Sequence, residues 1–353
     1  MIRKIVIACD SFKGCLSSEE VARAAAAGVR RVIPGCIVES AAVADGGEGT
    51  SRVLNRCLGG RTIRVEVSDP LGRRITAEYG IADMETYAGI RTAIIDMAQA
   101  SGLTLLADDE RNPLYTSTYG TGEMILDALG KGCRRFLIGS GGSATNDGGT
   151  GMLEALGVRF LDMAGNEIRN CCGCKLRSIR AFDESRMEPA IKESVFTVAC
   201  DVNTAFCGEE GATKIFAPQK GASDKDMEIL ESGMRSLNDI IRETKGMDLS
   251  QTEGAGAAGG LVSTDTIIFV PTGSYYAAIP APGISFFCCM PSYSLPQSKI
   301  KDFCQPPRQR GPRAATPPVF PEGRLGYISK KLLMVDITPF STRLRARNSP
   351  FGS

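Results

Sequence analysis

The stretch Phe136–Leu156, FLIGSGGSATNDGGTGMLEAL, runs from an apolar segment through a glycine-rich loop into a helical pattern. Six glycines stand there among Ser, Thr, Asn and Asp residues. Glycine permits positive φ and close backbone approach, so successive N–H groups can converge on an anion. The N-terminal end of the following helix would add positive charge. The stretch therefore predicts a strand, a phosphate-binding loop and a helix.

The loop matches neither of two familiar phosphate motifs. It lacks the Gly-Lys-Ser/Thr ending of a P-loop and the regular G-x-G-x-x-G spacing of a dinucleotide fingerprint. A structural interpretation is the alternative, in which the glycines make a tight connection while Asn146 and Asp147 cap the helix. The loop alone thus predicts an anion site without naming the anion.

Composition narrows the class of protein. The 353 residues include 41 Lys plus Arg and 40 Asp plus Glu, and 43% are hydrophobic. A chain of this size can bury a large core and is expected to form two domains. Its near-zero net charge gives no indication of nucleic acid or an anionic membrane as partner. With no targeting signal or long apolar run, we expect a cytoplasmic protein.

Histidine is absent, which excludes Ser-His-Asp and Cys-His catalysis and His-ligated metals. Proton transfer must then use Asp, Glu, Lys, Tyr or Cys, and oxygen-ligated Mg²⁺ remains possible. The thirteen cysteines are scattered and predict reduced thiols. The cluster Cys171, Cys172 and Cys174 matches no standard zinc spacing.

The N-terminal region has a βαβα pattern, which predicts an α/β fold with a parallel sheet. Strands are expected at Ile5–Ala8 and Ile37–Val43, with a helix Val21–Val32 between them. Ser17 and Glu20 have the spacing of a capping box for this helix. Polar loops, CDSFKG and ADGGEGT, follow the two strands, and ligands collect at the carboxyl ends of parallel strands. Asp10, Lys13, Asp45 and Glu48 are therefore expected to share one crevice.

Further elements follow along the chain. The alternating runs TIRVEV, RRITAEYGI and RTAIIDM predict strands between Arg61 and Met97. Helical and strand patterns continue to Leu261, at Thr121–Leu129, Arg135–Ile138, Val195–Cys200 and Met227–Ile241. Residues 262–353 differ sharply, because they hold thirteen of the eighteen prolines and carry a net charge of +7 from eleven basic and four acidic residues. This tail is expected to be largely disordered.

Six motifs in order carry a family resemblance. They are DSFKG at Asp10–Gly14, ADGGEGT at Ala44–Thr50, NPLYTSTYGTGE at Asn112–Glu123, GGSATNDGG at Gly141–Gly149, ACDVN at Ala199–Asn203 and FAPQKG at Phe216–Gly221. From about Ile2 to Leu261 the chain resembles the bacterial-type glycerate kinase family. The resemblance implies an α/β protein of two domains, a parallel-sheet Rossmann- or flavodoxin-like domain and a second mixed α/β domain inserted into it.

The resemblance also implies domain boundaries. Residues 1–66 would form the N-terminal part of the first domain, 67–261 the inserted domain with the glycine loop, and 262–353 a non-matching tail. The family segment that completes the first domain has no counterpart after Leu261. We therefore expect the opening βαβα unit to lack neighbouring strands and to expose an edge.

The activity that the resemblance implies is ATP-dependent phosphoryl transfer to a hydroxyl of D-glycerate, giving phosphoglycerate, with Mg²⁺. The substrate is a small molecule, and neither nucleic acid nor a membrane is expected as partner. One alternative is a truncated, inactive remnant that at most binds phosphate or nucleotide. Another is a dinucleotide-dependent oxidoreductase, but DSFKG stands where its glycine fingerprint is expected.

Candidate residues can be named for each part of phosphoryl transfer. Asp45 is the first choice of general base and Asp10 the second, and Lys13 would face charge on the transferring group. The Gly139–Gly149 backbone would hold phosphate, with Gly141, Gly142, Ser143, Thr145, Asn146 and Gly148 as contacts. Glycerate would be bound by Asn112, Thr116, Thr118 and Lys220. Asp147 and Asp201 are candidate Mg²⁺ ligands, with helix or turn capping as their alternative role.

Overall fold

The computed structural model describes residues 4–9, 12, 15–42, 46–47, 49–83, 90–200, 202–261, 326–329 and 332–336. The chain divides into two compact units, one made of residues 1–44 and 283–353 and the other of residues 45–282. Alternating helices and strands in both units confirm a mixed α/β fold. None of the described helices is long and apolar enough to cross a membrane.

The strands of the described residues are β1 (Lys4–Cys9), β2 (Ile37–Ala42), β3 (Arg61–Ser68), β4 (Arg74–Asp83), β5 (Arg91–Asp96), β6 (Arg135–Gly139), β7 (Arg159–Leu161), β8 (Glu167–Ile168), β9 (Ala181–Asp183), β10 (Val195–Ala199), β11 (Gly326–Ser329) and β12 (Leu332–Asp336). The helices are α1 (Ser18–Val32), α2 (Thr50–Cys57), α3 (Ala98–Ser101), α4 (Tyr119–Gly130), α5 (Thr150–Ala155), α6 (Ala212–Phe216), α7 (Asp224–Lys245) and α8 (Ala257–Gly260).

The first unit has a sheet in the order β11-β12-β1-β2. Strands β1 and β2 are parallel, as predicted, and α1 begins at the predicted Ser17–Glu20 capping box. Ala22 and Ala26 of α1 pack in a core with Ile7. Strand β12 pairs antiparallel with β1. The expectation that the opening unit would lack a further neighbouring strand was therefore wrong, because two short strands of the tail extend this sheet.

The second unit is built on a mixed sheet in the order β10-β6-β5-β4-β3. Strands β3, β4 and β5 are antiparallel, and β3 and β4 form a hairpin closed by the Asp69-Pro-Leu-Gly turn. The Asp69 carboxylate accepts hydrogen bonds from the N–H groups of Leu71 and Arg73, which fixes this turn. Strands β5, β6 and β10 are parallel to one another, as expected for strands linked through helices.

The three parallel strands end at one level. Asp96 of β5 pairs in register with Gly139 of β6, which pairs with Ala199 of β10. Beneath them, buried side chains such as Phe136, Met124 and Met152 form the main hydrophobic core of the unit. The loops that follow β5, β6 and β10 consequently leave the sheet side by side.

The described cysteines mostly agree with the expectation of reduced thiols. Nine of them have free thiols, two of which are Cys172 and Cys174. Cys57 is disulfide-bonded, so that expectation was wrong at this one position.

Candidate functional site

The candidate site lies where β5, β6 and β10 end in the second unit. We call residues 140–149 after β6 the glycine loop. Its first N–H groups are fixed by neighbouring backbone, since Ser140 N–H donates to Ala199 O over 3.3 Å and Gly141 N–H donates to Gly46 O over 3.1 Å. The loop is thus anchored both to the end of β10 and to the ADGGEGT segment.

Glycine is required at two positions of this contact. A Cβ on Gly141 would lie 2.6 Å from Gly47 Cα, so any side chain would push the two segments apart. Gly142 has a φ of +81°, in the left-handed region that favours glycine. It is also exposed, whereas residues 143–150 are buried. Only the Gly141–Gly142 tip of the loop therefore meets solvent directly.

Asp96 is a residue of this edge that sequence reasoning missed. Its side chain is only 1% exposed, and its carboxylate accepts hydrogen bonds from Gly49 N–H at 2.9 Å and from Ser51 N–H at 2.8 Å. The Ser51 hydroxyl donates a third at 2.9 Å. These bonds hold the start of α2 and with it the ADGGEGT segment. A polar residue at the end of the RTAIID strand was the available signal.

Lys220 lies against the glycine loop itself. Its side chain is buried, and Nζ donates hydrogen bonds to Ser143 Oγ at 2.8 Å and to Thr145 O at 2.6 Å. Burial lowers the pKa of this ammonium to about 7, against the opposing effect of the Asp147 charge. The structure thus joins a predicted substrate residue, Lys220, to two predicted phosphate residues.

Two buried oxygen atoms beside this lysine lack partners. Within the described ranges, neither Thr145 Oγ1 nor Asn146 Oδ1 has a hydrogen-bond partner, although both residues are fully buried. The Asn146 amide nitrogen donates to Thr213 Oγ1 at 3.1 Å, a contact that no sequence motif indicated. Buried polar atoms are normally paired with protein, water or a ligand. These two are therefore candidates for contacts with a bound molecule.

The backbone of the loop divides into used and free donors. Gly148 N–H donates to Gly259 O at 2.9 Å, and Gly149 N–H donates to the Asp147 carboxylate. By contrast, the N–H groups of Gly142 and Ser143 have no acceptor among the residues that the structure describes. Free amides, hydroxyl groups and a buried ammonium are what an anion site requires. Gly148, a predicted phosphate contact, instead packs inside the loop.

Asp147 forms a buried hydrogen-bond centre. One carboxylate oxygen accepts from the Thr118 N–H and hydroxyl, each at 2.8 Å, and from Gly151 N–H at 3.2 Å. Burial raises the pKa of Asp147, while the hydrogen bonds from Thr118, Gly149 and Gly151 oppose the shift. The Thr118 hydroxyl also accepts from Met152 N–H at 2.8 Å. The network ties the start of α4 to the start of α5, which supports the capping role of Asp147.

Of the remaining predicted substrate residues, Thr116 bonds to the glycine loop and Asn112 makes a local turn. Thr116 is fully buried, and its hydroxyl donates to Ala144 O at 2.9 Å. Asn112 Oδ1 accepts from Leu114 N–H at 2.9 Å, closing a local turn. In this geometry Thr116 positions the loop backbone, and Asn112 shapes the segment that leads to it.

Gly259 and Gly260 pack directly against the backbone of the glycine loop. A Cβ on Gly259 would lie 2.1 Å from Thr145 O, and one on Gly260 would lie 2.9 Å from Gly148 Cα. The run AGAAGGL was the signal in the sequence, but nothing in it identified the segment that it packs against.

Four predicted site residues, Asp10, Lys13, Asp45 and Asp201, lie outside the described residues, as does Glu48. No group of three or more Cys, Asp or Glu side chains that could hold a metal ion occurs within the described part of the chain. Two cavities lined by described residues of the second unit border α7. One is a small, mainly apolar space lined by Leu153, Phe160 and Leu237, and it offers no anion site.

Comparison with known proteins adds independent information. The sequence model of the glycerate kinase family matches residues 5–270. The glycerate kinase of Halalkalibacterium halodurans is 44% identical over 257 residues, and the glycerate 2-kinase of Escherichia coli is 43% identical over 258 residues. Each alignment covers 73% of this chain and 66% of the relative. The chain thus spans slightly less than two thirds of these relatives.

A solved structure shows the same likeness in three dimensions. A crystal structure assigned as glycerate kinase 2 from Salmonella typhimurium has a TM-score of 0.64 and 40% sequence identity with this chain. The match covers 76% of this chain and 70% of that one.

Proposed function

This chain belongs to the glycerate kinase family, and from that membership we propose that it transfers the terminal phosphoryl group of ATP to a hydroxyl of D-glycerate. The observation that carries the proposal is the glycine loop with the buried Lys220 ammonium on it. Phosphoryl transfer needs positioning and charge stabilisation more than covalent chemistry, and this loop offers both.

Each part of the loop has a proposed role. The free N–H groups of Gly142 and Ser143 and the Thr145 hydroxyl donate to phosphate oxygens. The Asn146 amide oxygen, which can only accept, contacts a donor group of the bound ligand. Lys220 supplies the positive charge that a bound anion needs. Thr116 and Thr118 hold the loop in shape and do not touch the ligand. Either the phosphate chain of ATP or the glycerate carboxylate fits this chemistry, and we assign the loop to phosphate.

The residues for proton transfer are proposed on chemical grounds. Asp45 accepts the proton of the attacking hydroxyl, Asp10 is the second candidate, and Lys13 faces the transferring group. A histidine-free chain leaves carboxylates as the natural choice of base. The Asp147 carboxylate does not by itself fit a Mg²⁺ ligand, because four internal hydrogen bonds occupy it. Asp201 lies outside the described residues, so Mg²⁺ binding by this pair stays a prediction, and no step here depends on it.

The finer organisation belongs to the same proposal. It comprises a Rossmann- or flavodoxin-like first domain starting with residues 1–66, an inserted domain of residues 67–261, and a tail of residues 262–353, of which the family model matches only residues up to 270. A small molecule is the proposed partner, in the cytoplasm, with no nucleic acid or membrane involved.

Turnover of ATP with D-glycerate by the purified full chain tests the proposal. Phosphorus NMR of the product would identify 2- or 3-phosphoglycerate, and Asp45→Asn should reduce turnover by about 10²–10⁴-fold without unfolding the protein. Near-normal turnover in that variant would exclude Asp45 as base.

The second candidate function is binding of phosphate or nucleotide without turnover, and it is kept because the alignments cover only 66% of each relative. ATP protection against thermal unfolding without turnover would support this second function. Absence of both protection and turnover would exclude both functions.

A further inference from the structure

A pair of closely spaced thiols lies beside the candidate site. Cys172 and Cys174 are separated by Gly173, and their Sγ atoms are 3.6 Å apart. Cys172 is buried, whereas Cys174 is half-buried. The adjacent Cys171 contacts Ile168 O instead, at 3.8 Å from its Sγ. The structure therefore selects two of the three clustered cysteines as partners.

We propose that Cys172 and Cys174 are a reversible dithiol–disulfide pair, a modification site for peroxides that acts on the neighbouring segment Asn112–Ser117. This proposal does not depend on the assignment of kinase activity. A metal is not the better occupant, since the described residues offer no third Cys, Asp or Glu ligand in a common group.

The geometry needs little change for the bond to form. A disulfide bond is about 2.05 Å long, so the sulfur atoms must approach each other by about 1.5 Å. The residue between them has to be glycine, because a Cβ on Gly173 would lie 2.4 Å from Pro113 O and 2.5 Å from Leu230 Cδ2. Gly173 therefore lets the turn pack closely against Pro113 and Leu230, with the two thiols next to each other.

The chemistry proceeds in two steps. The more accessible Cys174 releases its thiol proton and attacks one oxygen of hydrogen peroxide, and the O–O bond breaks. A sulfenic acid and a hydroxide ion result, and the hydroxide takes up the released proton to give water. The Cys172 sulfur then attacks the Cys174 sulfur, the S–O bond breaks, and a second water leaves. Two thiols are oxidised and one peroxide is reduced to two waters. Burial and the adjacent Cys174 raise the pKa of Cys172, so Cys172 keeps its proton and is not the thiol that attacks peroxide. In the second step that proton passes to the departing hydroxyl group, which leaves as water.

The same turn is bonded directly to the Asn112–Ser117 segment. Cys174 N–H donates to Leu114 O at 2.8 Å, and the Ser117 hydroxyl donates to Cys171 O at 2.6 Å. A Cβ on Gly173 would also lie 3.2 Å from Asn146 O, so the turn borders the glycine loop. A backbone displacement at Cys171 or Cys174 would therefore be passed to the segment that precedes α4.

The test uses the full chain, first reduced and then treated with hydrogen peroxide. Trypsin cleaves after Arg169 and Lys175 and releases all three cysteines in one peptide. We expect that peptide to lose about 2 Da, the mass of two hydrogens, and to regain it with dithiothreitol. Cys171→Ser should retain the loss, and Cys174→Ser should abolish it. Retention in Cys174→Ser, abolition in Cys171→Ser, or no loss in the parent would each overturn the pairing.

Hydrogen exchange tests the coupling. Oxidation should change amide exchange in Asn112–Ser117 of the parent and of Cys171→Ser, reversibly with dithiothreitol, but not in Cys174→Ser. Unchanged exchange in a chain shown to carry the disulfide would overturn the coupling. Circular dichroism of the reduced variants establishes that they fold, and Cys174→Ala replaces Cys174→Ser if the latter does not.

Discussion

Lys220 is the residue on which the electrostatics of the site depend. A buried ammonium held by two neutral oxygens is costly, and its lowered pKa is the physical expression of that cost. A bound anion would offset the cost by supplying the missing negative charge. Residue chemistry thus predicts that ligand binding and protonation at this position are linked.

Sulfate affinity should therefore fall as the pH rises through about 7, where unliganded Lys220 loses its proton. Only the protonated form attracts the anion, so affinity should fall toward tenfold per pH unit above that point. Sulfate is the probe because it does not itself titrate in this range. Thermal unfolding at pH 6, 7, 8 and 9 with graded sulfate measures the effect.

Lys220→Met should bind sulfate weakly and without this pH dependence. Lys214→Met is the matched control, because Lys214 is exposed on the adjoining α6 and should leave the profile unchanged. The same slope in Lys220→Met as in the parent would contradict the assignment.

Asp147 gives a second prediction at the scale of one residue. Asp147→Asn replaces a carboxylate that accepts four hydrogen bonds, and the new amide NH2 group would face donors of Thr118, Gly149 and Gly151. The free energy of unfolding should fall by about 2 kcal/mol or more, the cost of unsatisfied buried donors. Urea denaturation measures it, with the exposed Asp108→Asn as control. Full stability with lost turnover would instead favour the metal-ligand role.

At the scale of the elements, the glycine loop depends on its close contact with the ADGGEGT segment. Gly141→Ala places a methyl group 2.6 Å from Gly47 Cα and should separate the loop from the ADGGEGT segment. We expect a folded protein that ATP no longer protects against thermal unfolding. Gly130→Ala is the control, since that glycine in α4 has free space around it and a helical backbone. Undiminished protection in Gly141→Ala would move the anion site elsewhere.

Elements were the scale at which the sequence was most informative. The capping box at Ser17, the β3–β4 hairpin and the strand before the glycine loop follow local rules of spacing and alternation, and the structure confirms them. Such local rules could not predict which residues from distant parts of the chain would be in contact. Lys220 and Ser143 are far apart in the chain, and the contact of Gly259 with Thr145 depends on packing that no local pattern encodes. For the same reason the sequence suggested Thr118 as a ligand contact and did not indicate that its hydroxyl donates a hydrogen bond to Asp147.

At the scale of the whole molecule, the chain matches only part of the length of its relatives. About a third of each curated relative lies outside its alignment with this chain. The family match extends to residue 270, nine residues beyond Leu261. We predict that a chimera carrying the remaining segment of the Escherichia coli relative after residue 270 turns over D-glycerate at least tenfold faster than this chain.

Steady-state assays of both proteins measure this difference, with ATP protection as the control that the loop is intact in each. Equal turnover would show that the chain needs no such segment. A chimera that binds ATP as the parent does but gains no activity would contradict the prediction equally.

The in-register ends of β5, β6 and β10 have a consequence for any ligand of this edge. Asp96, Gly139 and Ala199 meet only after strands from distant parts of the chain have paired, so the binding surface does not exist in a partly folded chain. A ligand there would bind the native state alone and would stabilise it by RT ln(1 + [L]/Kd). Cellular nucleotide would then act as a folding ligand, and the resistance of this protein to proteolysis would rise and fall with nucleotide supply.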